Sequence, residues 1–404
     1  MKIFIVGGGA AGLVAAIVAK RKHPEHDIVI LEGNDRVGKK ILITGNGQCN
    51  LTHEGICEDF YRGDIPYAAP ILEEYTDREI IAFFEELGAL VLTREDGKAY
   101  PYSLQAGSVV DLLRFAAEKA GVEISVNERV KNMEYNKGGF RIYTARGDVL
   151  DGDRVLIACG GMAAPHTGSD GGGYALLQKF GHKLTPLFPA LVPLTCESKL
   201  LGSVKGLKCD ALATLFDGGE VVRKEYGEVV FQDYGLSGPP VLQLSSELSG
   251  IRKPYLSLDL MPEVSEEETY QMLSLRKEAH EDWSLEQFFT GVFHKRLGMA
   301  LMKEADVLPF SRKAWSLSER DVRELARTAH AWRFRVTGTL PWERAQVTGG
   351  GISMQDFNMY TLESTLRKGL YAAGEVLNID GDCGGYNLHW AWASGMAVGN
   401  AIGN

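Results

Sequence analysis

The sequence predicts an α/β fold interrupted by an insertion, and three observations carry that expectation. An apolar run, Ile3–Val6, leads into Gly7-Gly8-Gly9-Ala10-Ala11-Gly12, and a second run, Ile28–Leu31, ends in Glu32. Val155–Ala158 closes on Cys159-Gly160-Gly161, and Leu370–Ala373, near the end of the chain, closes on Gly374-Glu375. Between those two glycine-ended runs, from about residue 190, strand-like stretches broken by glycines give way to charged helical ones. Short apolar strands alternating with helices build a parallel sheet. The change of rhythm between them marks an inserted domain.

The opening segment has the order a dinucleotide site requires: strand, glycine turn, helix, strand, acid. Gly7 permits the tight turn, Gly9 lets the backbone approach a pyrophosphate, and Gly12 allows close helix–strand packing. Ala10 and Ala11 open a helix expected over Ala10–Arg21, whose N-terminus offers N–H groups and positive dipole to phosphates. Glu32 lies twenty residues beyond Gly12, where a carboxylate accepts hydrogen bonds from ribose hydroxyls. The pattern points to a bound adenine dinucleotide.

Helical periodicity runs over Pro70–Leu87 and stops at Gly88, and Ser108 with Asp111 reads as the capping-box start of a helix ending near Gly121. Strand-like runs fall at 89–93, 122–126, 129–135 and 139–145, the last two a hairpin around Lys137-Gly138-Gly139. Later, 212–216, 220–223, 228–231 and 255–260 read as the strands of a small barrel or sandwich. Residues 263–330 are charged and helical, with Ser318 and Asp321 as another capping-box start. Val336–Val347 reads as extended, and Trp390–Ile402 as a helix of small residues.

Bulk properties narrow the function classes. A chain of 404 residues is long for one core, so two domains are expected. The net charge of −10 argues against a general nucleic-acid or anionic-membrane surface. No apolar run reaches the length of a membrane span, and the N-terminal apolar stretch reads as a first strand, so a cytoplasmic location is expected. Six cysteines (49, 57, 159, 196, 209 and 383) are scattered without a CxxC pair. Neither HExxH nor a Cys/His cluster is evident, so no metal is expected.

Three later glycine-rich segments exceed what plain turns need. Lys39–Thr52 places Thr44, Gly45, Asn46, Gly47, Cys49 and Asn50 soon after the ribose acid, where backbone N–H groups can face phosphates or a ring. Cys159-Gly160-Gly161, continuing to Gly168–Gly173, ends a strand in glycines that let a flat group approach the backbone. In Ala373–His389 a glycine turn feeds a second helix, whose N-terminus would stabilise negative charge on the N1/C2=O edge of a flavin. A return to the cofactor from the chain end favours FAD over NAD. No second GxGxxG is present for NAD(P)H.

These motifs together resemble one family. GGGAAG, KKILITGNGQCNLT, ACGG with GSDGGGYALLQKFGHKLTPLFPALVPL, YGLSGP (Tyr234–Pro239), and VTGGG with GLYAAGEVLNIDGDCGGYNLHWAWASG are similar to the HI0933-like flavoproteins, the bacterial BaiN-type NAD(P)/FAD-dependent oxidoreductases. The resemblance runs nearly end to end. It implies FAD held by a discontinuous Rossmann-like domain (1–190 and 347–404). It also implies an insertion over 191–346, with a β-barrel (191–260 and 334–346) and a helical part (261–333). The cofactor positions it implies are Gly7, Gly9, Ala10, Ala11, Gly12, Glu32 and Gly33; Lys40, Thr44, Gly45, Asn46, Gly47, Cys49 and Asn50; Val130; Cys159, Gly160 and Gly161; and Gly374, Glu375, Asp380, Gly384, Gly385, Tyr386, Asn387 and Leu388. Two residues depart from the family pattern. Gln48 stands where arginine is common, removing a fixed positive charge, and His389 stands where glutamine is commoner.

The resemblance implies an FAD-dependent oxidoreductase. The main reading is a reductase: NAD(P)H serves as a transient hydride donor, and an activated C=C of a small enone or steroid-like molecule as acceptor. The proton-donor candidates are His389, Tyr386 and Tyr234. An FAD-dependent amine or aminoacetone-type oxidase using oxygen is the alternative, and a non-catalytic FAD-binding redox or RNA-associated protein a further one. The expected partner is a small-molecule substrate, with neither nucleic acid nor membrane; oligomeric state is left open.

Overall fold

Five parallel strands form the central sheet, in the order Leu370–Ala372, Arg154–Ile157, Lys2–Val6, Asp27–Leu31, Glu123–Ser125. Within the four strands from Leu370–Ala372 to Asp27–Leu31 all but the first residues Arg154, Lys2 and Asp27 are apolar and buried, as strands covered on both faces must be. A computed structural model describes residues 1–404, and the chain divides into two compact units, Met1–Pro189 with Trp342–Asn404, and Ala190–Pro341.

In the first unit, the helix Ala10–Lys22 follows the glycine turn, and its apolar residues are buried on nearly every side. The C-terminal helix Tyr386–Ala401 packs on it through two glycines one turn apart. A Cβ on Gly395 would lie 2.6 Å from the Ala11 oxygen, and one on Gly399 would lie 2.9 Å from the Ala15 oxygen. Missing side chains are thus what lets the two backbones approach. A three-stranded antiparallel sheet (Val130–Asn136, Gly139–Thr144, Val149–Gly152) turns at Lys137 and Gly138, both at positive φ, where the hairpin is expected.

Local boundaries differ from expectation for local reasons. The helix read over Pro70–Leu87 is two, Ile65–Glu74 and Asp77–Glu86, because Thr76 forms a capping box with Glu79 and starts a new helix. The helix assigned to a Ser108–Asp111 cap begins earlier, at Ala106, so Ser108 lies inside it and bonds back to the Gln105 carbonyl at 2.7 Å. Its end is as read, with Gly121 left-handed at the C-cap.

The second unit holds a closed six-stranded barrel, ordered Leu194–Glu197, Gly235–Ser237, Glu220–Phe231, Lys208–Asp217, Pro254–Asp259, Trp332–Thr339. The runs 220–223 and 228–231 are one long strand: polar Arg223 and Glu225 keep the register of the second run, which shifts by one residue only where Phe216 pairs with Val221. The barrel interior is filled by Leu215, Phe231, Leu256, Trp332 and Phe334. A helical cluster has its own core around Leu273, Phe288 and Leu325, and Ser318 starts the helix Glu319–His330 with the capping box read from the sequence. The extended run read at 336–347 stops at Thr339. Beyond Pro341 the chain belongs to the first unit, where the Trp342 carbonyl accepts a hydrogen bond from the Ala164 N–H at 3.0 Å.

Candidate functional site

The glycines of the first turn sort by what a side chain would strike. Gly7 sits at φ +106°, and a Cβ there would lie 2.6 Å from the Ala158 oxygen. Gly12 is tighter, at 2.0 Å from the Gly7 oxygen. Gly9 is different. It starts the first helix without a side-chain cap, and the atom nearest an added Cβ is 3.9 Å away. The space Gly9 leaves is not taken by protein, and the N–H groups of the first turn, through Ala10 and Ala11, have no side-chain partner there.

Glu32 is buried, and its carboxylate accepts from the Gly8 N–H at 2.8 Å and from the Asn34 N–H and side-chain amide at 2.7 Å each. A carboxylate has about four lone-pair sites, so one remains for a ligand hydroxyl. The Gly8 bond ties the acid to the turn and was not foreseen. Beside it, the Glu32 carbonyl accepts from the Glu128 N–H at 2.7 Å, and a Cβ on Gly33 would meet Arg129 at 3.4 Å. Val130 follows at the start of its strand.

A second group forms around Glu375. Its carboxylate takes Lys40 Nζ at 2.5 Å and the Thr348 N–H at 2.9 Å. The Thr348 hydroxyl in turn accepts from the N–H groups of Met162 and Ala163. Gly161 is forced by this network, since its Cβ would lie 2.3 Å from the Thr348 hydroxyl. Gly374 lies against Ala11 of the first helix, and Gly160 against Ser169. Burial pushes the Cys159 thiol up to about 12, which makes it a packing group.

The third group joins the Thr44–Asn50 loop to the start of the C-terminal helix. Gly45, Asn46, Gly47 and Cys49 are all at positive φ, two of them non-glycine. Cys49 is fully buried, its thiol pushed up to about 12 by burial. Asn50 is also buried, and its Oδ1 has no hydrogen-bond partner. That oxygen lies 3.0 Å from the place a Cβ on Gly385 would occupy, and Gly385 caps the C-terminal helix at φ +109° without a side chain. Asn387 is committed to backbone, receiving the Gly381 N–H and donating to the Gly381 and Asp382 carbonyls. It shapes the turn and has little left for a ligand. Asp380 is buried on a strand opposite Arg62, and half-buried Gly384 and Leu388 flank Gly385.

The proton-donor candidates separate. His389 is fully buried, with Nδ1 2.8 Å from the Thr52 hydroxyl, and burial brings its pKa down to about 4. The helix turns the His389 ring inward, onto Thr52. Tyr386 stacks on Phe60 at 4.7 Å and on His53 at 5.0 Å, and burial raises its phenol to about 12, so it keeps its proton. Tyr234 belongs to the second unit, where its carbonyl accepts from the Cys196 N–H.

Two findings were not legible in sequence. A positive charge lies beside Gln48, since Arg94 donates to its side chain at 3.1 Å and lies over the Tyr100 ring at 4.3 Å. Away from this site, His23, Glu25 and His26 bring three possible metal-ligand atoms within 4.8 Å. The two histidine rings are parallel to within 9° and stacked at 5.0 Å, so one ion cannot lie in both ring planes as placed. No helix is long and apolar enough to cross a membrane.

Comparisons place this geometry among known proteins. A family model described as the HI0933-like protein Rossmann domain matches residues 1–401. A 3-dehydro-bile acid delta(4,6)-reductase from Clostridium scindens is 36% identical, over 99% of this chain and 98% of the relative. A ribosomal RNA dihydrouridine synthase from Escherichia coli is 29% identical, over 97% of this chain and 96% of its own. Among solved structures, a 3-ketosteroid-delta4-(5alpha)-dehydrogenase from Rhodococcus jostii aligns over 100% of this chain and 96% of its own, with a TM-score of 0.50 and 14% identity. At that identity the likeness is one of fold.

Proposed function

We propose, from the premise that the chain belongs to the HI0933-like family of FAD-dependent oxidoreductases, that it is an NAD(P)H-driven reductase of a C=C bond conjugated to a carbonyl. The observation that carries the reading is the end-to-end similarity to a relative named for reducing 3-dehydro bile acids. When bound, FAD supplies two-electron chemistry, taking hydride from a donor and giving it to an acceptor.

The residues present suit that group. Gly9 leaves room at an uncapped helix start for a pyrophosphate, and Glu32 keeps a lone pair for a ribose hydroxyl. Asn50 offers a buried acceptor without a donor, beside the uncapped start of the C-terminal helix. Lys40 and Glu375 would border the chain between the two ends. Tyr386 would hold the proton for the carbon next to the carbonyl, since a phenol is protonated at physiological pH and burial raises this one further.

A second reading of the acceptor rests on the relatives named ribosomal RNA dihydrouridine synthases, at 29% and 28% identity. The uracil C5=C6 bond is also conjugated to a carbonyl, so the chemistry is shared and the acceptor differs. The net charge of −10 and the higher identity of the bile-acid relative favour the small molecule.

The test is anaerobic mixing of the FAD-loaded protein with NADH or NADPH, following the visible flavin band. Bleaching is expected, with the band returning on addition of a 3-oxo-4-ene steroid acid. Return with an unmodified rRNA transcript, and not with the steroid, would move the reading to RNA. No bleaching with either nicotinamide, where a small amine does bleach, would replace it with the oxidase.

A further inference from the structure

The Thr44–Asn50 loop is strained. Asn46 and Cys49 hold φ of 54° and 59°, a left-handed conformation that a non-glycine residue keeps only where its surroundings hold it. The residues that leave this loop, Leu51 and Thr52, are held from far along the chain. On the C-terminal helix, Trp392 Nε1 donates to the Leu51 carbonyl at 3.0 Å, and His389 Nδ1 meets the Thr52 hydroxyl at 2.8 Å. Gly385, at the start of the same helix, packs directly on the Thr52 carbonyl.

The same helix reaches a second loop. Trp390 Nε1 donates to the Gly374 carbonyl at 3.2 Å, and the Ser394 hydroxyl accepts from the Gly374 N–H at 2.9 Å. Trp390 is 2% exposed and His389, Trp392 and Ser394 are 0% exposed, so their polar atoms compete with no water. Four side chains within two turns therefore pin two separate glycine-rich segments to one rigid element.

We infer that the C-terminal helix is a positioning spine. His389 and Trp392 hold Leu51–Thr52, Trp390 and Ser394 hold Gly374, and the fixed span between these points sets where the ring end of one long cofactor is received. His389 is thus a positioning residue acting through Thr52. This rests on the FAD reading above, and goes beyond it by assigning work to residues that would not touch the cofactor.

The test separates the two ends of the cofactor. Apoprotein is titrated with FAD, reading affinity and the visible band of the bound flavin, and separately with ADP, which occupies only the adenosine end. Thr52→Val keeps the shape of the side chain and removes the hydroxyl. It is expected to weaken FAD about tenfold, the scale of one buried hydrogen bond, and to shift the visible band while ADP affinity stays as in wild type. His389→Leu should match it, the double variant should be no worse than either, and His389→Gln, which can still bond Thr52, should recover most of the loss. If Thr52→Val binds FAD with wild-type affinity and spectrum, the inference falls and the FAD reading stands. Equal loss for FAD and ADP would also overturn it, as general loosening. Wild type that binds no FAD would remove both.

Discussion

The two ends of the candidate site are built on different principles. At the Gly7–Glu32 end the constraint is steric: Gly7 and Gly12 are glycine because backbone atoms stand 2.6 Å and 2.0 Å from where a Cβ would go. At the Thr44–Thr52 end the constraint is polar, made by Trp392 and His389 at sequence separations of 341 and 337. The first end is folded by what its residues lack, the second by what distant residues supply. Filling Gly7 or Gly12 should therefore disturb the fold itself, whereas cutting a hydrogen bond at the second end should disturb the loop it holds.

The largest expected effect breaks the first end in two ways. Gly12→Ala forces a Cβ into the Gly7 carbonyl and should cost about 3 kcal/mol or more, with loss of flavin from the purified protein. Gly9→Ala should hold its stability to within about 0.5 kcal/mol, because its φ is −85° and its Cβ would meet no protein atom inside 3.9 Å. It should still lose FAD affinity by roughly ten- to a hundredfold, because the methyl fills the space in which the pyrophosphate would approach the backbone. Thermal unfolding beside FAD titration reads both. A Gly9→Ala protein that binds FAD normally would mean that no pyrophosphate lies at the turn.

A smaller effect belongs to the polar end. In the folded state burial lowers the His389 pKa to about 4, against about 6.5 for an unperturbed histidine. Between those values the unfolded chain binds the extra proton, so stability rises with pH there and is lost as pH falls from about 6.5 toward 4. The loss is on the order of 3 kcal/mol across that window, since a tenfold change in proton affinity corresponds to about 1.4 kcal/mol. Urea unfolding of wild type and His389→Gln at several pH values should show this slope in wild type and its absence in the variant. Equal slopes would place the titration on other groups.

What was legible in sequence follows the same division. The strand, glycine turn, helix and acid of the first end lie within a short stretch, and each glycine's task follows from chain geometry alone. The parallel sheet, the insertion and the capping box at Ser318 were readable for the same reason, because their signals are local. The inward turn of His389 was not, since a histidine one turn into a helix is equally placed to face a ligand or the core. Thr348, Ser394 and Trp392 left no mark beyond their residue type; two tryptophans within a helix of small residues were the one available hint. The Gly8–Glu32 bond and the Arg94–Gln48 bond depend on pairings that no spacing rule encodes.

The smallest effect compares the two ends directly through their thiols. Cys159 borders the first end, its Cα 2.7 Å from where a Cβ on Gly7 would go, and Cys49 lies in the second; burial pushes both thiols to about 12, so neither is appreciably ionised near neutral pH. Cys57 is exposed. Iodoacetamide at near-neutral pH should therefore modify Cys57 and leave Cys49 and Cys159 intact, with all six cysteines reacting once the protein is unfolded in guanidinium. Peptide mass mapping over a time course reads the sites separately. A steric end stays closed as long as the sheet is folded, so Cys159 should remain silent in Thr52→Val as in wild type. A polar end opens when its hydrogen bonds are cut, so Cys49 should begin to label in Thr52→Val. Labelling of both cysteines at one rate would mean that the two ends open together, and that the division between a steric and a polar end is not a division in stability.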